Sequence, residues 1–174
     1  VSSPLWAPDY VKQRVMSTQV EEEDYEQVGL ENSAQIRVDT WRAVLKVVRE
    51  HPLEGVGFTG LGSVLPQTGE ALGVEVKDSA HNTYLRFLGE MGVVGLALFV
   101  WLLWRCWSLA LEGVRRARDR ADRQLALGLA AATLAMAVSC AFGDRFFNGL
   151  IAGNFWIACA LVDGMIGENR GEGA

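Results

Sequence analysis

The chain has 174 residues, a formal net charge of -5 and 50% hydrophobic residues, enough for one ordinary domain. Its mean hydropathy of +0.15 is high for a chain with 21% charged residues, because two unlike parts are averaged: residues 1–91 hold 8 basic and 14 acidic residues, a net of -6, whereas residues 92–174 hold 8 and 7, a net of +1, and nearly all the long apolar runs. That division excludes a simple soluble globule and a disordered chain, and the acidic polar half argues against a nucleic-acid partner, whose phosphates it would repel.

Residues 1–31 contain two early prolines and the run EEEDYEQ, which predicts an acidic, flexible, solvated loop. A calcium site is disfavoured there, because the alternating ligands and central glycine of a binding loop are missing. The chain starts at Val1, and the expectation is the C-terminal part of a longer protein, with no signal peptide expected within it.

Residues 32–91 form the second unit. Within it, 33–50 predicts an amphipathic helix, capped by Asn32 or Ser33 and ended by His51-Pro52. Trp41, Val44, Leu45 and Val48 make its apolar stripe at i, i+3, i+4 and i+7. Arg42, Lys46 and Arg49 repeat on another face, and Arg37 lies one turn before Trp41. Such a face suits a phosphate or diphosphate, or simply solvent with Asp39 and Glu50 as ion-pair partners. The following PLEGVGFTGLG satisfies a GxGxxG pattern at Gly55, Gly57 and Gly60. A dinucleotide site is rejected, since a helix and a proline precede it and Leu65-Pro66 follows, where that fingerprint needs a strand and then a helix. A tight re-entry loop is expected instead.

The stretch 77–96, KDSAHNTYLRFLGEMGVVGL, predicts a helix capped by Asp78 or Ser79 that runs straight into the first apolar span. His81 would lie in its first turn at the membrane surface. Asn82, Arg86 and Glu90 make a polar edge, and Gly89, Gly92 and Gly95 a ridge of small residues. A histidine there could keep its ordinary pKa and act as a base; a lone histidine is also commonly structural or solvated.

Three segments are apolar enough to cross a bilayer core of about 30 Å. Residues 92–111 have 16 apolar residues in 20, residues 125–142 have 15 in 18, and residues 146–166 have 15 in 21. The third is diluted by Asn148, Asn154 and Asp163. Spans are therefore expected at 92–111, 125–142 and 149–166. The linker 112–124 carries Arg115, Arg116, Arg118, Arg120 and Arg123, which the positive-inside rule places in the cytoplasm. Residues 1–91 and the turn 143–148 then face outside, and the tail 167–174 faces inside. Arg105 can snorkel to the inner headgroups, and Trp101, Trp104 and Trp107 read as interfacial anchors. Gly149 and Gly153 form a GxxxG pair suited to close helix packing. Cys106, Cys140 and Cys159 read as small packed hydrophobes, at no metal-like spacing. The fold class is all-α: a polytopic helical membrane protein fragment with a helical extramembrane loop region and about three C-terminal transmembrane helices.

An arginine before a Trp-containing helix, PLEGVGFTG, SAHNTYLRFLGEMGVVGL and an Arg-rich turn together resemble the O-antigen ligase family over residues 33–166. The resemblance implies a multi-pass protein of the bacterial inner membrane with its active site facing the periplasm. It implies a glycosyltransferase that works without a metal or cofactor. The donor would be a glycan on undecaprenyl diphosphate, and the acceptor a sugar hydroxyl of the lipid A core. His81 matches the family's proposed base, and Arg37 the arginine proposed to hold the diphosphate; Arg42 and Arg86 are lesser candidates for the same anion. A repeat-unit polymerase using a glycan acceptor, and a non-catalytic membrane-anchored interaction module, are the alternatives.

Overall fold

The computed structural model describes residues 34–77 and 79–171, the side chains of residues 170 and 171 excepted. The expected acidic loop 1–31, the caps at Asn32, Ser33 and Asp78, and the last residues of the tail lie outside the described residues. Within them the protein is all-α, without a strand. It divides into a small head, residues 34–91, and a stem of three long helices.

The first helix, α1, covers residues 34–50. Its buried face is Thr40, Ala43, Val44 and Val47, at i, i+3, i+4 and i+7. The apolar stripe expected from periodicity is thus displaced. Leu45 is 44% exposed and Trp41 is half-buried. Polar contacts explain the rotation. The Thr40 hydroxyl accepts from the Lys77 amide at 3.1 Å, and the Trp41 indole N–H donates to the Ala80 carbonyl at 2.8 Å. Both turn the helix towards the segment 77–80.

The second helix, α2, Leu61–Leu72, occupies a stretch where Leu65-Pro66 argued against a helix. Pro66 has no N–H to reach the Gly62 carbonyl, and Gly62 is exposed, so water can satisfy that oxygen. The helix stops at Gly73, whose φ of 67° lets its N–H return to Glu70. Leu61 and Leu65 join Ala43, Val44, Val47 and Ala80 in the head's core.

The third helix, α3, Thr83–Arg116, contains a break at Gly92, with φ 65° and ψ -166°, where a continuous helix was expected. The re-entry loop 51–60 fills the break. Val56 and Gly57 donate to the Gly89 and Glu90 carbonyls at 3.0 and 2.9 Å, and Val93 donates to the Pro52 carbonyl at 2.9 Å. The helix ends freed by the break are therefore satisfied by the loop backbone. A Cβ at Gly92 would lie 2.1 Å from the Leu53 carbonyl oxygen, and one at Gly55 would lie 2.4 Å from the Glu90 carbonyl carbon. Only glycine permits two backbones to approach this closely.

The fourth and fifth helices, α4, Arg120–Cys140, and α5, Gly149–Gly171, pack on α3. Among the described residues, three helices are long and apolar enough to cross a membrane: Thr83–Arg116, Arg120–Cys140 and Gly149–Asn169. Their shared core includes Phe99, Leu103, Leu129, Met136, Phe155 and Val162, with all three cysteines buried and unpaired. Phe87 stacks on Phe99 at 4.5 Å between centroids, and Phe99 meets Phe146 edge-on at 5.1 Å. Trp101 and Trp104 point outward, 55% and 59% exposed, as does Arg105. A Cβ at Gly149 or Gly153 would meet nothing within 4 Å, so the GxxxG pair is not part of the packing among these helices.

The two ends of the stem differ in chemistry. At one end sits the head with the turn after α4, whose Gly143 carbonyl accepts from the Thr83 hydroxyl at 2.9 Å. At the other, Arg115 and Arg116 lie in the last turn of α3, and Arg118 donates to the Asn169 carbonyl near the end of α5 at 2.8 Å. The arginine-rich turn and His81 are thus separated by the length of the stem.

Candidate functional site

His81 lies outside the helix and not in its first turn. Asn82 is the cap, its side-chain oxygen accepting from the Tyr84 and Leu85 amides at 3.0 and 3.2 Å. His81 therefore precedes the cap, half-buried, in a left-handed backbone conformation with φ 46°. Histidine visits that region more readily than most residues, but a neighbour must hold it there. The His81 amide faces the Ser79 hydroxyl oxygen at 3.3 Å, and that hydroxyl donates to Asp144 Oδ2 in the turn after α4.

Asp144 ties this segment to α3 as well. Its Oδ2 lies 3.8 Å from an Arg86 guanidinium nitrogen. Arg86 also donates from Nε to Glu90 Oε1 at 3.2 Å, and its guanidinium sits 3.9 Å above the Phe147 ring. The Glu90 side chain is only 5% exposed. The other Asp144 carboxylate oxygen is buried without a partner. Such an acceptor costs stability unless something satisfies it.

The arginines expected to serve together are placed differently. Arg37 and Arg42 are exposed on α1. Arg42 forms an ion pair with Asp39 at 3.0 Å, and Asp39 also accepts from Gln35 at 2.9 Å. Arg37 is one helical turn from Trp41, and the Trp41 indole holds the carbonyl of the residue before His81. Arg86 instead spends its guanidinium on two carboxylates and a ring. Among the described residues no group of His, Cys, Asp and Glu is arranged to hold a metal.

Sequence reasoning placed Glu90 on a polar edge with Arg86 but gave it no role, and it passed over Thr59 and Asp144. Asp144 contacts Ser79 across 65 positions, a separation that no local pattern encodes. Thr59 and Glu90 line a pocket of about 230 Å³ together with Leu61, Gly62, Ser79, Ala80 and Arg86, and Asp144 reaches it only through Ser79 and Arg86.

The architecture is that of a membrane protein carrying a half-buried polar site at one end of a helical stem. The O-Antigen ligase family profile matches residues 5–100, more than half of the chain, and the chain belongs to that family. No curated protein matches the chain. The match begins well before residue 33, so family character extends into the acidic stretch that carried no identifiable signal, and it ends inside the first apolar helix. The family comprises glycosyltransferase-like ligases and polymerases that use lipid-linked glycans, which supports the enzyme reading over the non-catalytic module.

Proposed function

We propose that this chain carries part of the active site of an O-antigen ligase-like glycosyltransferase. The enzyme moves a glycan from undecaprenyl diphosphate to a sugar hydroxyl of the lipid A core, on the periplasmic face of the bacterial inner membrane. The observation that carries the reading is the Trp41–Ala80 hydrogen bond, which ties α1, the helix that bears Arg37, to the residue before His81. An anion-binding group and a proton acceptor are then held by one small core.

The chemistry suits these two residue types. A diphosphate already leaves well and needs its developing charge neutralised more than it needs a proton. Arg37, with Arg42 in support, supplies a permanent charge in a bidentate fork. The acceptor hydroxyl must lose its proton as the new glycosidic bond forms, and an imidazole nitrogen is the group here suited to take it. Arg86, already countered by two carboxylates, is the weakest of the three for the diphosphate. The orientation follows from the arginine-rich turn at the far end of the stem, which the positive-inside rule keeps in the cytoplasm.

The test is complementation by the full-length protein in ligase-deficient and polymerase-deficient bacteria. Rescue of ligation supports the reading, and rescue of polymerisation alone replaces it with the repeat-unit polymerase. Arg37→Lys should lose most activity although its charge remains, while Arg49→Lys, three turns on, should retain it. Labelling a cysteine placed at position 118 from outside intact cells would contradict the orientation.

A further inference from the structure

We infer that the pocket between the glycine loop, Ser79 and the polar edge of α3 binds one neutral sugar ring of a substrate glycan. The inference rests on the glycan-transfer reading and adds a subsite to it. The pocket measures about 230 Å³, below the roughly 300–1,000 Å³ of drug-sized sites, which suits a single ring and not an oligosaccharide.

Its lining supplies both halves of hydroxyl recognition. Glu90, nine-tenths buried, is an acceptor, and the carboxylate can take more bonds than the one from Arg86. Arg86 is a donor, the Thr59 hydroxyl can do either, and the Ser79 oxygen, whose proton goes to Asp144, can accept. Leu61 and Gly62 stand in the first turn of α2, whose amides no side chain caps, and add donors at the rim. A hydroxyl both gives and accepts, so neighbouring ring hydroxyls can bridge these groups.

The charge of the site decides against an anion. Within the lining the single positive charge of Arg86 is countered by Glu90, and Asp144 outside the lining faces it as well, leaving no net positive charge to hold phosphate. A buried ion pair is a weak source of stability; one that lines a cavity gains a function as a hydroxyl clamp. The hydrogen bond from the His81 amide to the Ser79 oxygen ties the backbone of the proposed base to the same lining.

The experiment uses the full-length protein in detergent, with methyl glycosides of neutral hexoses at millimolar concentration as probes. Saturation-transfer NMR should show contact with ring protons. That contact should fall about tenfold in Glu90→Gln and in Gly62→Leu, which fills the pocket from an exposed position and spares the ion pair. Inorganic phosphate should not compete. In transfer assays Gly62→Leu should raise KM for one saccharide substrate with little change in kcat; whether the acceptor or the donor KM moves identifies the source of the ring. Undiminished saturation in Gly62→Leu, or displacement by phosphate, overturns the inference. Pocket-dependent glycoside binding by a protein without transfer activity would keep the pocket and overturn the transfer reading; transfer that depends on His81 but not on Gly62 or Glu90 would do the reverse.

Discussion

The head and the stem are held together in different ways. The head buries six small or medium apolar residues, Ala43, Val44, Val47, Leu61, Leu65 and Ala80, and owes its shape to backbone contacts: three loop-to-helix hydrogen bonds at the Gly92 break and two glycines pressed against backbone. The stem is packed by large side chains in three long helices, with many others left outward, such as Leu134 at 59% and Leu150 at 81% exposure. A head built on backbone approach tolerates little change but fixes polar groups accurately. A stem built on apolar packing tolerates much, because neighbouring lipid or helices are as apolar as its own side chains.

The sharpest way to break this contrast is Gly92→Ala. The left-handed conformation costs a non-glycine residue about 1–3 kcal/mol, and the new methyl would collide with Leu53 backbone. Thermal unfolding of the purified protein should drop by more than for any single stem truncation to alanine. A variant as stable as the parent would show that the loop does not depend on the break.

A smaller effect is expected where head and stem join. Asp144→Asn weakens the links to Ser79 and Arg86 and should cost about 1–3 kcal/mol. Protection of the Ser79–Asn82 amides from hydrogen exchange should fall, while that of α4 stays. Equal loss across α4 would mean that Asp144 serves the stem and not the head. Smaller again is the difference across α1. Val44→Ala, at a fully buried site, should destabilise by about 1–3 kcal/mol, and Leu45→Ala by less than about 0.5 kcal/mol. The opposite order would restore the stripe that periodicity alone suggests.

The same contrast explains what could be read from the sequence. The stem's helical class was legible because apolar content over about 20 residues is a local property, and the three apolar helices follow from it. The re-entry loop was legible from Gly55 and Gly57. The break at Gly92 was not, since Gly89, Gly92 and Gly95 read equally well as a ridge for helix packing; only the partner backbone, some 40 positions earlier, distinguishes the two. The cap was misplaced for a similar reason: Asp78, Ser79 and Asn82 are all competent, and Ser79 is drawn away by Asp144. Of the candidate site, His81 and Arg37 were singled out through the resemblance to the family, whereas the Glu90 pocket depends on contacts between segments far apart in the chain.

The central claim is that the head presents His81 as a base beside a separately held donor. Its most direct test is transfer by purified full-length His81→Ala, with lipid-linked donor and acceptor, measured alongside donor binding. Transfer should fall by about 10²–10⁴-fold, the scale of a positioned general base, with donor affinity unchanged because the arginines hold the diphosphate. Near-normal transfer, or loss of donor binding together with transfer, would contradict it.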